Sequence, residues 1–69
     1  MIRCTEVYSN LGGILIKMKS NIFINLENVK FISLSADKFN SDVIYNIRFT
    51  DNSSMLVVSD QLDNMLGNA

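Results

Sequence analysis

Apolar and polar residues alternate most clearly in residues 43–59. In the first half of this segment, four apolar residues recur at every second position: Val43, Tyr45, Ile47 and Phe49. A period of two places them on one face of a strand. The polar residues 51–54 follow, and Asp51 and Asn52 are residue types that tolerate turn conformations. Because a second apolar run occupies 55–58, the pattern predicts a β-hairpin with the four listed side chains facing the core.

The stretch before it predicts two further strands. Residues 14–19 alternate, with three apolar residues on one face: Ile14, Ile16 and Met18. The next two residues, Ser20 and Asn21, are polar and predict a tight hairpin into residues 22–26. The core-facing residues of that segment would be Ile22, Ile24 and Leu26.

The remaining segments are less regular. Residues 1–8 are compatible with a short strand, and residues 9–13, with their paired glycines, predict a turn or hinge. Residues 29–35 resume the extended pattern, and residues 36–42 read as a polar loop.

The C-terminal segment predicts a short helix. Ser59 and Asp60 are good N-caps for residues 61–66, and Gly67 is placed to end the helix. Its apolar stripe would be Leu62, Met65 and Leu66.

These elements predict a β-rich α+β domain. It would contain four or five antiparallel strands in a meander, either open or partly closed into a barrel, and one short C-terminal helix. We expect residues 1–69 to form a single small domain, in which 1–13 are an N-terminal arm and 14–66 the compact core.

Composition suggests that the chain associates with another protein. Sixty-nine residues are close to the size at which one core barely offsets the entropy of ordering the chain. Hydrophobic residues make up 48% of the chain and charged residues 19%, which leaves few charges to cover the surface.

Both faces of the predicted sheet carry large apolar side chains, and one short helix can cover only one face. Large exposed apolar patches mark interaction sites, and unpaired edge strands offer a second route to association. We therefore expect a non-enzymatic interaction or assembly module that forms homo-oligomers. The expected interface consists of Leu15, Phe23, Ile32, Leu34, Ile44, Arg48 and Val57. A phage or mobile-element protein that inhibits a host protein is a variant of the same idea.

The candidate chemistry is sparse. The chain has no histidine and one cysteine, Cys4, so it cannot supply a Ser-His or Cys-His nucleophile pair. Asp37 and Asp42 flank one loop, but that loop lacks the glycine and terminal glutamate of a calcium loop. We expect no enzyme activity, metal or cofactor.

Location follows from the same residues. A single cysteine favours a reducing compartment, and no run approaches the roughly 20 apolar residues of a membrane span. We expect a cytoplasmic protein without a membrane partner.

The formal net charge is −1, and the basic residues are scattered along the chain. No basic stripe of the kind that neutralises phosphates is visible, so nucleic acid is not the expected partner. The alternative from a different class is a nucleic-acid-binding module in which four basic residues converge: Arg3, Lys17, Lys19 and Lys30.

Residues 14–66 resemble two known families. The order is the stretch IFINLENVKFI, a variable loop, a strand ending at a polar turn, a short strand and then Ser-Asp-x-Leu-x-x-Met-Leu. It resembles the small FlbD-like (SwrD-like) flagellar proteins and similar short bacterial and phage proteins of unknown function. The same strand order is similar to the β core of LytTR-type DNA-binding domains. The positions that carry the resemblance are Ile24, Asn25, Val29, Ile32, Ile47, Phe49, Asp51, Val57 and Ser59.

The resemblance implies a β-rich fold and, for the LytTR-type comparison, DNA binding. The chain departs from both families, because Asn52 and Ser53 replace the usual turn glycine and the basic residues used on DNA have no counterparts. A LytTR-like regulatory role is therefore the alternative, not the main expectation.

Overall fold

The chain forms one five-stranded antiparallel sheet and one short C-terminal helix. The structure, a computed structural model, describes residues 1–39 and 42–67, with only the backbone for 37–39. The elements are β1 (Ile2–Leu11), β2 (Ile14–Ile24), a 3-10 turn (Leu26–Asn28), β3 (Val29–Phe39), β4 (Asp42–Phe49), β5 (Ser54–Val58) and α1 (Asp60–Leu66). The strand order is β2-β1-β5-β4-β3. The predicted fold class is thereby confirmed.

The two ends of the sheet differ. β1 and β5 are antiparallel neighbours, so the turn after β1 and the turn before β5 lie at the same end. We call this the turn end; it contains Gly12–Gly13 and residues 50–53. The opposite end, where β5 leads into α1, is the helix end.

The sheet is strongly coiled. Ile24 pairs with Ile2 at the helix end, whereas Val29 pairs with Phe49 at the turn end, on the opposite edge of the sheet. Five Cα–Cα steps join Ile24 to Val29 and span at most about 18 Å. In a flat sheet the two edge strands, β2 and β3, would be about 19 Å apart. Ile24 and Val29 would be farther apart still, because they lie at opposite ends of those strands. The sheet must therefore curl until its diagonal corners approach, although β2 and β3 do not pair and the sheet is not closed.

The concave side of the coiled sheet holds the main core, which we call the inner cluster. Its buried members are Ile2, Cys4, Val7, Ile24, Tyr45, Ile47, Val57 and Leu62. Six of them come from the central strands β1, β4 and β5 and one from β2, and Leu62 of α1 closes the helix end. Val43 and Phe49 pack against the same cluster, so the predicted core face of β4 is confirmed.

The convex side has a smaller core, the outer cluster. It consists of Tyr8, Ile44 and Val58, with Leu15 and Leu56 packed against them. Ile44 is buried there by side chains of the same chain.

The β4–β5 hairpin is the predicted one. Phe49 N–H donates to Ser53 O at 2.8 Å, which closes a three-residue loop. Asn52 is left-handed, with φ 70°, as this loop type requires. Asp51 Oδ1 accepts from Ser53 N–H at 2.9 Å. Asparagine is one of the few non-glycine residues that adopt this conformation readily.

Helix α1 begins and ends where the sequence indicates. Ser59 is the N-cap, and its Oγ accepts from Leu62 N–H at 3.2 Å. Gly67 ends the helix in the left-handed conformation, with φ 71°. Of the predicted apolar stripe, however, Leu62 is buried, whereas Met65 and Leu66 are exposed.

The prediction of an N-terminal arm was wrong. Residues 2–11 form β1, which lies between β2 and β5, and Ile2 and Cys4 are fully buried. The first half of β1 extends past β5, and the start of α1 covers it there instead. Ser59 Oγ donates to Arg3 O at 2.6 Å, and Arg3 N–H donates to Gln61 Oε1 at 2.9 Å. These side chains take the place of a neighbouring strand.

Two turn predictions were also wrong. Ser20 and Asn21 do not turn; β2 runs through them as one strand, and Asn21 adopts φ 55° inside it. The hairpin lies instead at Gly12–Gly13, where both residues have positive φ, as a primed two-residue turn requires. The predicted loop over 36–42 is strand at 36–39 and from Asp42 onward, and residues 40–41 lie outside the described residues.

Candidate functional site

The β1–β2 hairpin extends beyond the rest of the sheet. β5 pairs with β1 only from Glu6 to Tyr8, while β1 and β2 remain paired as far as Leu11 and Ile14. This two-stranded ribbon carries the largest concentration of exposed apolar side chains in the described chain. We call them the hairpin patch: Leu11 (59% exposed), Ile14 (66%), Ile16 (41%) and Met18 (59%).

Three members of the hairpin patch share one face. Leu11 and Ile14 are directly opposed, and Ile16 is opposed to Ser9, two residues before Leu11. Directly opposed residues of an antiparallel pair lie on the same side of the sheet. The register shifts by one residue opposite Val7 and Tyr8, so that Lys17 is opposed to Tyr8 and Lys19 to Val7.

This shift places the two lysines on opposite faces. Tyr8 belongs to the outer cluster and Val7 to the inner cluster. Lys17 therefore lies on the convex side, where its Nζ is 3.2 Å from Glu6 Oε2. Lys19 lies on the face that carries Leu11, Ile14 and Ile16, and it is exposed.

A cleft opens on the concave side, at the mouth of the coiled sheet. Its volume is about 550 Å³, within the range of ligand and peptide sites. Apolar side chains of the sheet form its floor, and polar residues of two loops form its rim. The lining residues are Ile22, Phe23, Ile24, Asn25, Asn28, Phe49, Thr50, Asp51, Ser53 and Met55. We call it the mouth cleft.

The rim of the mouth cleft is acidic. Asp51 is its one charged residue, and no lysine or arginine is among the lining residues. Hydrogen bonds from the hydroxyl and N–H of Ser53 lower the pKa of Asp51, so this carboxylate is ionised at neutral pH. Lys30 and Arg48 approach the neighbouring Asn52 instead, through its Oδ1 at 3.4 Å and its carbonyl O at 2.9 Å.

The seven residues predicted as an interface do not form one exposed surface. Phe23 and Leu34 are exposed, Leu15, Ile32 and Arg48 are half-buried, and Ile44 and Val57 are buried. Val57 is opposed to both Tyr45 and Val7, so it belongs to the inner cluster and not to the outer face. The prediction that Ile44 and Val57 form an exposed interface was wrong, because Ile44 is buried in the outer cluster and Val57 in the inner cluster.

The exposed apolar residues instead follow the edges of the sheet. On β2 these are Ile14, Ile16, Met18 and Phe23, and on β3 they are Phe31 and Leu34. Sequence reasoning missed the hairpin patch because it placed residues 1–13 outside the sheet. The signal that could have found it is the Gly12–Gly13 pair between two apolar runs, which is a strong hairpin pattern.

The four basic residues of the nucleic-acid alternative are not gathered on one face. Lys17 and Lys19 lie on opposite faces of β2, and Lys30 lies on β3, the other edge of the sheet.

Two side chains with raised pKa values, Cys4 and Tyr8, are buried in the two clusters. Burial in the inner cluster raises the pKa of the Cys4 thiol to about 11, which keeps it protonated and unreactive at neutral pH. Burial, and then the hydrogen bond to Glu6, raise the pKa of Tyr8. Within the described residues, no group of three histidine, cysteine, aspartate or glutamate side chains could hold a metal ion. Asp37, one of the two aspartates considered for a cation, has its side chain outside the described residues.

No helix in the described part of the chain has the length and apolar character needed to cross a membrane. No family model, curated protein or solved structure matches this chain. The resemblance to FlbD-like and LytTR-type proteins therefore stays a prediction.

Proposed function

We propose that this protein is a non-enzymatic assembly module that binds further copies of itself through the β1–β2 hairpin. The observation that carries the proposal is the hairpin patch: four large apolar side chains, each at least 41% exposed, on a ribbon that extends from the sheet. Long, exposed, hydrophobic edge strands pair with other chains unless something covers them. A cytoplasmic location belongs to the same proposal and rests on the single, buried cysteine.

The free-energy cost of exposing apolar surface to water supports association. Each exposed leucine, isoleucine or methionine side chain that leaves water stabilises a complex by about 25 cal/mol per Å² of apolar area. Among the described residues, eleven large apolar side chains are exposed, and four of them lie on this one ribbon. The β2 edge is also irregular, because the register shift at Met18 and the left-handed Asn21 interrupt its backbone pattern. These irregularities hinder the repeated addition of strands. Such bulges limit edge-to-edge aggregation, which favours a defined oligomer.

The test is the mass of the native protein by light scattering or sedimentation at micromolar concentration. We expect a mass that is a multiple of 7.8 kDa for the wild type. Ile14→Asp should return it to one chain, because a carboxylate cannot be buried unpaired in an apolar contact.

Two matched variants control for general effects. Leu26→Asp changes an apolar residue that is 49% exposed on the 3-10 turn and should leave the mass unchanged. Phe31→Asp, on the β3 edge, should also leave it unchanged. A wild type that sediments as a single chain would refute self-assembly, and dissociation by Phe31→Asp alone would move the interface to the other edge.

A further inference from the structure

We propose that the hairpin patch of one copy docks in the mouth cleft of a second copy, and that the second copy's hairpin docks in the first in return. This inference rests on the proposed self-assembly and names the surface that receives the hairpin. It commits to a second copy as the occupant of the cleft.

Shape is the first argument. The hairpin patch is a narrow apolar ribbon two strands wide, and the mouth cleft has an apolar floor that includes Ile22, Ile24, Phe49 and Met55. The hairpin patch is exposed, and none of its residues lines the mouth cleft, so within the described chain the two features do not contact each other. One chain therefore exposes both an apolar projection and an apolar recess, without joining them.

Charge is the second argument. Lys19 lies on the same face of the ribbon as Ile14 and Ile16, and no hydrogen bond or ion pair is found for its side chain in the described chain. Asp51 is the one charged residue of the cleft rim. A ribbon that inserts its apolar side chains into the cleft brings a cation toward that carboxylate. Opposite charges at an interface rim fix the register of docking more than they add affinity.

Position is the third argument. The hairpin tip at Gly12–Gly13 and the 50–53 turn both lie at the turn end of the sheet. Two copies that meet at their turn ends around a two-fold axis can each insert a hairpin, which gives a closed dimer and not an open chain. Each copy would contribute both surfaces to the interface: the ten ribbon residues 9–18 and the ten residues that line the cleft. The total of twenty residues per copy is close to the roughly 20–30 residues per side of a standard interface.

The decisive experiment is disulfide cross-linking between differently substituted copies. Ile14→Cys and Ser53→Cys are exposed substitutions, one in the hairpin patch and one at the cleft rim, and native Cys4 is buried and stays unreactive. We expect rapid covalent dimers when the two variants are mixed, and none when either variant is oxidised alone.

The outcomes separate this inference from the proposed function. If Ile14→Cys alone cross-links as fast as the mixture, two β2 strands pair directly and docking in the cleft is wrong, although self-assembly stands. If no cross-link forms and the wild type has the mass of one chain, both proposals fail. If the wild type is a dimer that cross-links in neither case, the cleft is not the receiving surface.

A charge exchange provides a second test. Lys19→Asp and Asp51→Lys should each weaken dimerisation about two- to fivefold, the range of an exposed ion pair. The double variant should recover the wild-type dissociation constant. If the two residues act separately, the double variant will not recover the wild-type dissociation constant, and that result would overturn their pairing.

Discussion

The inner cluster and the hairpin patch are built from the same kinds of side chain, yet only the first is buried. Ile2 and Ile47 have no exposed surface, whereas Ile14 is 66% exposed. The difference lies in the number of neighbouring elements. The inner cluster is enclosed by the coiled sheet and closed by α1, while beyond Tyr8 β1 has no partner on its β5 side. An apolar strand residue is therefore a core residue only where a neighbouring strand or the helix covers it, and elsewhere it stays exposed.

The largest effect should come from opening the inner cluster at the helix end. Leu62→Ala removes the side chain by which α1 closes that end, and it should lower the free energy of unfolding by about 2–5 kcal/mol. Urea denaturation followed by circular dichroism measures this. The matched control is Leu66→Ala on the same helix, which is exposed and should change the value by less than about 0.5 kcal/mol. Equal effects of the two variants would contradict the enclosure of the inner cluster by Leu62.

The next effect tests how the start of α1 replaces a strand. Ser59→Ala removes both the N-cap bond to Leu62 N–H and the bond to Arg3 O. We expect a loss of about 2 kcal/mol, because a cap contributes about 1 kcal/mol and an unpaired, partly buried carbonyl costs a similar amount. Thermal and urea unfolding measure it, with the exposed Ser54→Ala as control. A loss as small as that of the control would mean that water satisfies the Arg3 carbonyl.

A buried thiol offers a pH test of the same cluster. The pKa of Cys4 rises from its ordinary 9.0 to about 11 on folding. Between these values the unfolded chain has released the thiol proton and the folded chain has retained it, so stability should fall as the pH rises from about 9 to about 11. Urea denaturation at pH 8, 9.5 and 10.5 measures this, and Cys4→Ala should remove the Cys4 part of the slope. Identical slopes in the two proteins would show that the thiol is not buried in solution.

The smallest effect on folding should come from the hairpin patch. Ile14→Ala should change the unfolding free energy of the dilute protein by about 0.5 kcal/mol or less, since the side chain is mostly exposed. The effect of Ile14→Ala should instead appear in how the melting temperature depends on protein concentration. The melting temperature of the wild type should rise with protein concentration, because association stabilises the folded chain. That rise should be reduced in Ile14→Ala, and a loss of several kcal/mol in the dilute protein would make Ile14 a core residue instead.

Much of the local structure could be predicted from the sequence. The β4–β5 hairpin follows from a period of two and a turn of Asp51 and Asn52, and the helix follows from Ser59 and Gly67 as caps. These features depend on residues within a few positions of one another. The prediction over Ser20 and Asn21 was wrong because polar residues can also mark an irregularity inside a strand, which only its partner β1 reveals.

The candidate site was predictable only in part. The sequence indicated that apolar residues outnumber the positions that one layer can cover, and that edge strands would carry some of them. It could not indicate which ones, because the buried Ile44 and Val57 stand between two apolar neighbours in the chain, as the exposed Phe23 also does. Ile44 is buried on the convex side by Tyr8, Val58 and their neighbours, and Val57 is buried in the inner cluster on the concave side.

The sequence by itself therefore determined the secondary structure of residues 43–66, the β-rich class and the surplus of apolar side chains. The tertiary structure decided that residues 2–11 form a central strand, that the sheet coils and that four of the exposed apolar side chains lie together on the β1–β2 hairpin. The physical reason is range. Alternation, turns and caps act between near neighbours in the chain, whereas the covering of a strand depends on which distant segment pairs beside it.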